Sequence, residues 1–355
     1  MAINVTYLSQ TDKLTPYWVN TYAVAHAAAQ DLGINLTIIE GQGHRLLQSV
    51  VLTELSRLSV KPDLLIFHAF PQNAFKYFNL LEQAKIPFVT YSNFSEDTSS
   101  PLHQQLSYPQ KKFKYWLSEH YVEDFKGAAQ LTHSLISQAR KKLNNKYPQL
   151  RVLALSGDLI AESKHRSQGV GAQIKQEGNV TLVQDVIANW LQEDAKAKFK
   201  QLYARHKRID IVWASSDVMA MGALQGAKEL NLIPNKDIFI GGFDWDTDAI
   251  NSIRAGQLSA SAGGQFYNVA WLLVQIHDHF HNPTKSPLNK NQIIDKYSII
   301  DLNNLIDLAP LTDINNIEKI NFYCFTKAHT KQQGYDFSMR LLLNQLTRQP
   351  PSPCK

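Results

Sequence analysis

The chain has 355 residues, 44% of them apolar, enough to fill two hydrophobic cores. Its 36 basic and 31 acidic residues leave a net charge of +5, spread along the chain without a long basic block, which argues against nucleic acid as a partner. No apolar run approaches the ~18–20 residues that a membrane span needs.

Strand-like and helical patterns alternate from the start. Ile3–Leu8 reads as a strand, so no charged-then-apolar leader precedes the fold. The expectation is either a cytoplasmic protein or a mature form whose leader was removed. A helix around Trp18–Leu32 follows, then the strand Asn35–Glu40, a helix around Leu46–Leu58 and the strand Asp63–Phe67. A helix around Ala74–Gln83 and the strand Phe88–Tyr91 complete a first series. Short strands rich in Val, Ile, Leu and Phe are expected where helices cover both sheet faces, so the series predicts a parallel, doubly wound sheet.

Residues 94–118 carry Ser, Pro, Gln and Lys and read as an irregular crossover. A second series then begins with a helix around Asp124–Lys142 and the strand Arg151–Leu155. It runs through a helix from about Arg166, the strand Val180–Asp185, a helix through Ala195–Arg205 and the strand Ile209–Ala214. A helix from Val218 to Leu230, the strands Asp237–Phe243 and Leu258–Ala262, a helix at Tyr267–Phe280 and a last strand, Tyr297–Leu302, follow. Two α/β lobes of similar size imply a cleft, and ligands of open parallel sheets bind beyond the carboxyl ends of strands.

One strand end stands out. Residues 241–248 read GGFDWDTD, placing Asp244, Asp246 and Asp248 around Trp245. A calcium loop, a catalytic carboxylate pair and a polyol-binding strand end each call for such acids. Calcium fits poorly, because Ala249 stands where the loop needs Gly and Ala255 where it needs Glu. The acids Asp246 and Asp248 suit the start of a helix through Ile250–Ile253.

Four ordered stretches carry a family resemblance: SKHRSQGVGA (163–172), WASSDVMAMGALQGA (213–227), FIGGFDWD (239–246) and LSASAGGQ (258–265). Together they resemble the type I periplasmic binding proteins, the ribose- and galactose-binding group, over roughly residues 1–305. The resemblance implies two lobes joined by three crossovers, near 116–122, 262–266 and 293–298, that close on one small ligand. The expected lobes are 1–118 with 266–295, and 119–265 with 296–310. Residues 311–355 would be a C-terminal extension, as in a subgroup of sugar-type binding proteins. Its apolar stretch 320–343 is expected to pack back on the lobes, with SMRLLLNQL as a short amphipathic helix.

The resemblance makes Asp244 the second lobe's main polyol acceptor; on its residues alone it could equally cap a helix or close a turn. Arg166 would offer a donor fork to ring or hydroxyl oxygens. Asp217 reads as a helix N-cap, and Ser216 occupies the place of a ligand-touching Asn. Tyr17 and Trp18, between first strand and first helix, would stack on a sugar ring, although a helix staple is the plainer reading. Trp245 has the same two readings. His68 follows the third strand, and Tyr91, Ser92 and Asn93 follow the fourth. That side is therefore neutral and aromatic, where the family often carries charge. Gln265 would supply a two-way hydrogen bonder. His277 and His281 in HDHFH share a helix face without an acidic third ligand, and Cys324 and Cys354 lack metal spacing, so neither metal nor cofactor is expected.

The function implied by the resemblance is an extracytoplasmic, periplasmic solute-binding protein for a sugar or polyol, acting as a monomer. It would serve a membrane transporter (of the ABC type) or a membrane sensor kinase. The alternative is the ligand-binding core of a sugar-responsive repressor without its DNA-binding head. An enzyme is the third class, but no Gly-x-Ser-x-Gly elbow, full dinucleotide fingerprint or ordered Cys–His pair is present.

Overall fold

The computed structural model of the chain describes residues 2–10, 15–42, 44–92, 94, 100–143, 146–288, 291–295 and 297–347, with backbone alone at 45 and 291–295. The chain divides into two compact units. Unit 1 is Met1–Val122, Phe266–Asp295 and Ile314–Lys355; unit 2 is Glu123–Gln265 and Lys296–Asp313. The chain thus passes between them after Val122, Gln265 and Asp295, and once more after Asp313.

In chain order the described strands are β1 (Ile3–Leu8), β2 (Ile34–Ile39), β3 (Leu64–His68), β4 (Phe88–Tyr91), β5 (Trp116–Val122), β6 (Leu150–Ser156), β7 (Val180–Ile187), β8 (Ile211–Ala214), β9 (Phe239–Phe243), β10 (Ala260–Gly263), β11 (Asn291–Asp295) and β12 (Ser298–Asp301). Unit 1 holds the sheet β11-β5-β4-β3-β1-β2 and unit 2 the sheet β12-β10-β9-β8-β6-β7. Described neighbours run parallel, except that β12 lies antiparallel to β10. Winding reverses between β1 and β3 in one unit and between β6 and β8 in the other. Such switch points open a crevice at the strands' carboxyl ends.

The sequence explains the layering. Leu64, Leu65, Ile66 and Phe67 in β3, and the whole of β8, are buried, as expected for strands covered on both faces. In unit 1 the helices Arg45–Arg57 and Ala74–Ala84 deliver Leu52, Leu55 and Phe78 to a core with Phe67, Phe88 and Trp116. The Phe78 ring sits 4.7 Å from Trp116 and 4.9 Å from Phe88, in edge-to-face geometry. In unit 2 the helices Asp124–Leu143 and Ala161–Gln176 form one packed pair, and Gln192–His206 with Asp217–Glu229 another.

Three local readings change. The stretch 94–118 is not irregular throughout: Pro101–Leu106 is a helix whose first turn is held by the Ser100 hydroxyl, and β5 begins at Trp116. WLSEHYV hid its strand character because Ser118, Glu119 and His120 are polar yet buried. The helix at 217 is capped by Ser216, whose hydroxyl accepts from the Met219 N–H; Asp217 is its first residue. Asp246 occupies the N-cap position of Thr247–Arg254, but its side chain makes no capping bond.

Residues 314–347 pack on unit 1, ending in the helix Met339–Thr347. Their anchor is Trp271, from the helix Asn268–His281. Its ring stacks on Phe337 at 4.7 Å and meets Phe325 edge-on at 4.9 Å. Backbone N–H groups of Phe322 and Lys327 donate to the Asp31 and Asp278 carboxylates, and the Tyr335 hydroxyl also reaches Asp278.

Candidate functional site

In unit 2 the polar groups converge where β6, β8, β9 and β10 end. Arg166 projects from the helix Ala161–Gln176 and is buried. Its Nε donates to Asp124 Oδ1 at 2.7 Å, Nη1 to the Ser215 carbonyl at 2.5 Å and Nη2 to the Tyr297 hydroxyl at 2.9 Å. The Tyr297 hydroxyl donates in turn to the same Asp124 oxygen at 2.8 Å, closing a three-residue ring. Gly127 makes room for it, since a Cβ there would lie 2.2 Å from the Tyr297 ring. The guanidinium also lies over Phe243, 4.4 Å from the ring centroid. Burial works against its charge, but Tyr297, Asp124 and Asp244 outweigh that, so Arg166 stays protonated.

Asp244 follows β9 with φ at +111°, and Trp245 follows with φ at +57°. Two successive non-glycine residues with positive φ are strained, a state that persists where the surroundings fix it. Here the Asp244 N–H donates to the Ala262 carbonyl, and the Trp245 indole N–H to the Ser261 carbonyl at 3.2 Å. The Trp245 ring fills the space a side chain at position 263 would need, 2.2 Å from a Cβ on Gly263. Asp244 Oδ1 accepts from Gln265 Nε2 at 2.6 Å and stands 4.0 Å from Arg166 Nη1. Burial pushes the Asp244 carboxyl up to about 6, against the pull of Arg166 and Gln265.

Beneath this loop lies a second carboxyl pair. Asp217 Oδ2 accepts from the Asp246 N–H at 3.0 Å and the Ser261 hydroxyl at 2.8 Å. Burial, then Asp246 and Asp244, push Asp217 well above the usual carboxylate range. Burial, then Asp244 and Asp248, bring Asp246 up to about 8. Asp217 therefore braces the loop that carries Asp244.

In unit 1 the corresponding strand ends are aromatic and neutral. His68, Tyr91 and His120 are register partners across β3, β4 and β5. The His68 and Tyr91 rings stack at 4.7 Å, and His68 Nε2 meets the Tyr7 hydroxyl at 3.2 Å. Trp18 approaches His68 edge-on at 5.7 Å and Tyr17 at 5.2 Å; the Ser9 and Tyr22 hydroxyls hydrogen-bond behind them. Burial takes His68 and His120 down to about 3, so both are neutral at ordinary pH. Among the described residues, His68 Nδ1, the Tyr91 hydroxyl and both His120 ring nitrogens are buried without a hydrogen-bond partner. Buried polar atoms are rarely left so, which marks a place where a ligand or water completes the set.

Of the residues singled out in the sequence, Arg166, Asp244 and Gln265 come together in unit 2, and Tyr17, Trp18 and His68 in unit 1. Ser216 and Asp217 are one step removed, as cap and brace. Trp245 packs against its own unit's strand β10. Asn93 lies outside the described residues. Sequence reading missed Asp124, Tyr297, His120 and Trp190. Trp190 is half-buried after β7, 6.0 Å from the Arg166 guanidinium. Asp124 at the head of a helix reads as a cap, and nothing local distinguishes Tyr297.

A family model described as a periplasmic binding protein domain matches residues 7–279. Among curated relatives, the chain is 29% identical over 125 residues to the galactofuranose-binding protein YtfQ of Escherichia coli, covering 34% of this chain and 39% of that one. It is 30% identical over 96 residues to a D-apiose import binding protein of Paraburkholderia graminis, covering 27% of this chain and 30% of that one. The matched stretches span well under two thirds of either relative. Among solved structures, a periplasmic sugar-binding protein from Pseudomonas fluorescens shares the fold, with a TM-score of 0.81 at 22% identity over 96% of this chain and 99% of that one. With most of its length matched by that family model, the chain belongs to the periplasmic binding protein domain family.

Proposed function

We propose that this chain is an extracytoplasmic, periplasmic binding protein that captures an uncharged sugar or sugar-like polyol. It acts as a monomer and delivers its ligand to an ABC transporter or presents it to a membrane sensor kinase. The observation that carries this reading is the Asp244–Gln265–Arg166 set. A carboxylate bonded at one oxygen by an amide, beside a guanidinium with two N–H groups unused by the described residues, offers acceptors and donors side by side to hydroxyls. In unit 1 the neutral rings of His68, Tyr91 and His120 favour an uncharged group and Tyr17 offers an aromatic face; in unit 2 Trp190, beside Arg166, offers another.

The repressor reading is not favoured, because both curated relatives are named as binding proteins and one as an import component. No catalytic role is proposed for any of these residues.

The test is a thermal-shift and calorimetric screen of neutral monosaccharides, beginning with D-apiose and D-galactose, beside mass spectrometry of any ligand carried through purification. Stabilisation by a neutral sugar is the expected result. A screen in which only charged or non-polyol solutes bind would sink the reading.

A further inference from the structure

The separation of Arg166 from Asp244 needs a cause. A guanidinium and a carboxylate, both buried in one unit, stand 4.0 Å apart without a hydrogen bond. Opposite charges in a low-dielectric setting attract strongly and close to 2.7–2.9 Å when free to do so. Something holds this pair open. The carboxylate that is hydrogen-bonded to Arg166 among the described residues is Asp124, and Tyr297 locks that contact by donating to the same oxygen while accepting from Nη2. The Ser215 carbonyl restrains Nη1 from a third direction.

We propose that Asp124 and Tyr297 are positioning residues: they hold the Arg166 guanidinium back from Asp244, so that both groups remain open to a ligand instead of satisfying each other. The inference rests on the sugar-binding reading for its consequence, but not for its geometry. Three N–H groups of Arg166 face the protein and one on each Nη is left for a hydroxyl. If the ring were broken, the guanidinium would turn to Asp244, and donor and acceptor would be lost to the ligand together.

The arrangement also ties the site to the chain path. Asp124 and Tyr297 are each the second residue of a unit 2 segment, and Gln265, bonded to Asp244, is the last residue of one. The guanidinium therefore bonds residues at two points where the chain enters the unit, and Asp244 bonds one where it leaves. A ligand that engages Arg166 acts on residues beside those points.

The experiment compares the full chain with Asp124→Asn and Tyr297→Phe in two measurements. The first is ligand-free: the Asp244 side-chain carboxyl is followed by carbon NMR across pH. Asp244 is faced by Arg166, Asp124, Asp217 and Asp246. In the wild type its midpoint is expected near 6, and in Asp124→Asn it should move clearly down, because Arg166 approaches and a neighbouring negative charge is gone. Tyr297→Phe keeps the Asp124 charge, so any downward move there reports the guanidinium alone; this variant also serves if Asp124→Asn does not fold. An unchanged midpoint in folded Tyr297→Phe overturns the proposal, since a merely structural tyrosine would not move it.

The second measurement is calorimetric titration with D-apiose and D-galactose. Both variants, where folded, are expected to bind roughly tenfold more weakly. Equal binding by all three proteins overturns the positioning role and leaves the sugar reading standing. A shifted midpoint without sugar binding by the wild type supports the positioning role and counts against the sugar reading.

Discussion

The two units share a topology but place opposite chemistry at their strand ends. Unit 2 gathers Arg166, Asp124, Asp217, Asp244 and Asp246 within a few strand ends; the side chains of the first four are hydrogen-bonded to named partners, and burial keeps Asp246 un-ionised up to about 8. Unit 1 gathers Tyr7, His68, Tyr91 and His120, held among the described residues by ring contacts and by the Tyr7–His68 bond. Charged groups give strong, directional bonds to hydroxyls but need a scaffold that keeps them from pairing with one another. Neutral rings need no such scaffold, although each hydrogen-bonding edge they bury without a partner carries a cost. The division places charged hydrogen-bonding groups at the strand ends of unit 2 and neutral ring edges at those of unit 1.

The largest effect should follow from removing the unit 2 acceptor. Asp244→Asn is expected to weaken binding of the wild-type sugar by roughly ten- to a hundredfold, as for a hydrogen bond to a charged group worth about 1.5–3 kcal/mol. Wild-type binding should itself weaken as pH falls through about 6, when Asp244 takes up a proton, and the variant should lose that part of the dependence, leaving what Glu162 (about 7) and Asp246 (about 8) contribute. The histidines of unit 1 stay neutral down to about 3 and add no slope above it. Calorimetry between pH 4.5 and 8 measures both; a binding curve flat across that range would break the comparison.

A second asymmetry is the cover on unit 1. Residues 320–347 enclose the Trp271 ring with Phe322, Phe325 and Phe337, and no such segment packs on unit 2 among the described residues. Deleting 320–355 should lower the unfolding temperature by several degrees, since burial of an aromatic cluster is worth several kcal/mol. Calorimetric scans that match the full chain would make the segment dispensable to the fold.

The carboxyl pair under Asp244 gives a pH signature to stability. Asp246 is held up at about 8, while in the unfolded chain it titrates near 3.8. The folded chain therefore keeps a proton that the unfolded chain has released. The stability tied to that proton is complete below the unfolded value and is lost as pH rises towards 8. Asp246→Asn carries no such burial penalty, so its gain in unfolding temperature over the wild type should be larger at pH 8 than at pH 5. Equal gains at both would place Asp246 in water rather than beneath the loop.

Much of this was legible in the sequence because parallel strands buried on both faces write themselves as short apolar runs. Ile3–Leu8 and Phe88–Tyr91 coincide with β1 and β4, and the Gly-Gly-Phe-Asp end of β9 flagged Asp244. Legibility failed where burial is polar. β5 carries Glu119 and His120 inside the sheet, with Glu119 accepting from Ser92 and the Phe94 N–H, so its apolar pattern is broken. The Asp124–Arg166–Tyr297 ring joins residues 42 and 131 positions apart, and no local period reports such a contact. Asp217 was misjudged for a related reason: an acid at a helix start looks like a cap, but its partner is the Asp246 N–H from the next strand end.

The smallest and sharpest effect belongs to Tyr91. Its hydroxyl is buried, un-ionised and without a hydrogen-bond partner among the described residues. Such a group destabilises the free protein, because it leaves water without compensation. Tyr91→Phe removes only that oxygen and keeps the ring stacked on His68 at 4.7 Å. The unfolding temperature of the ligand-free protein should therefore stay level or rise slightly. If the hydroxyl completes its bonding on the ligand, sugar affinity should fall at the same time by roughly three- to tenfold, the loss of about one neutral hydrogen bond. Stability and affinity would then move apart in a single substitution, which a packing role alone does not produce. Unchanged affinity would assign the hydroxyl to bound water and leave unit 1 to recognise its ligand by ring faces only.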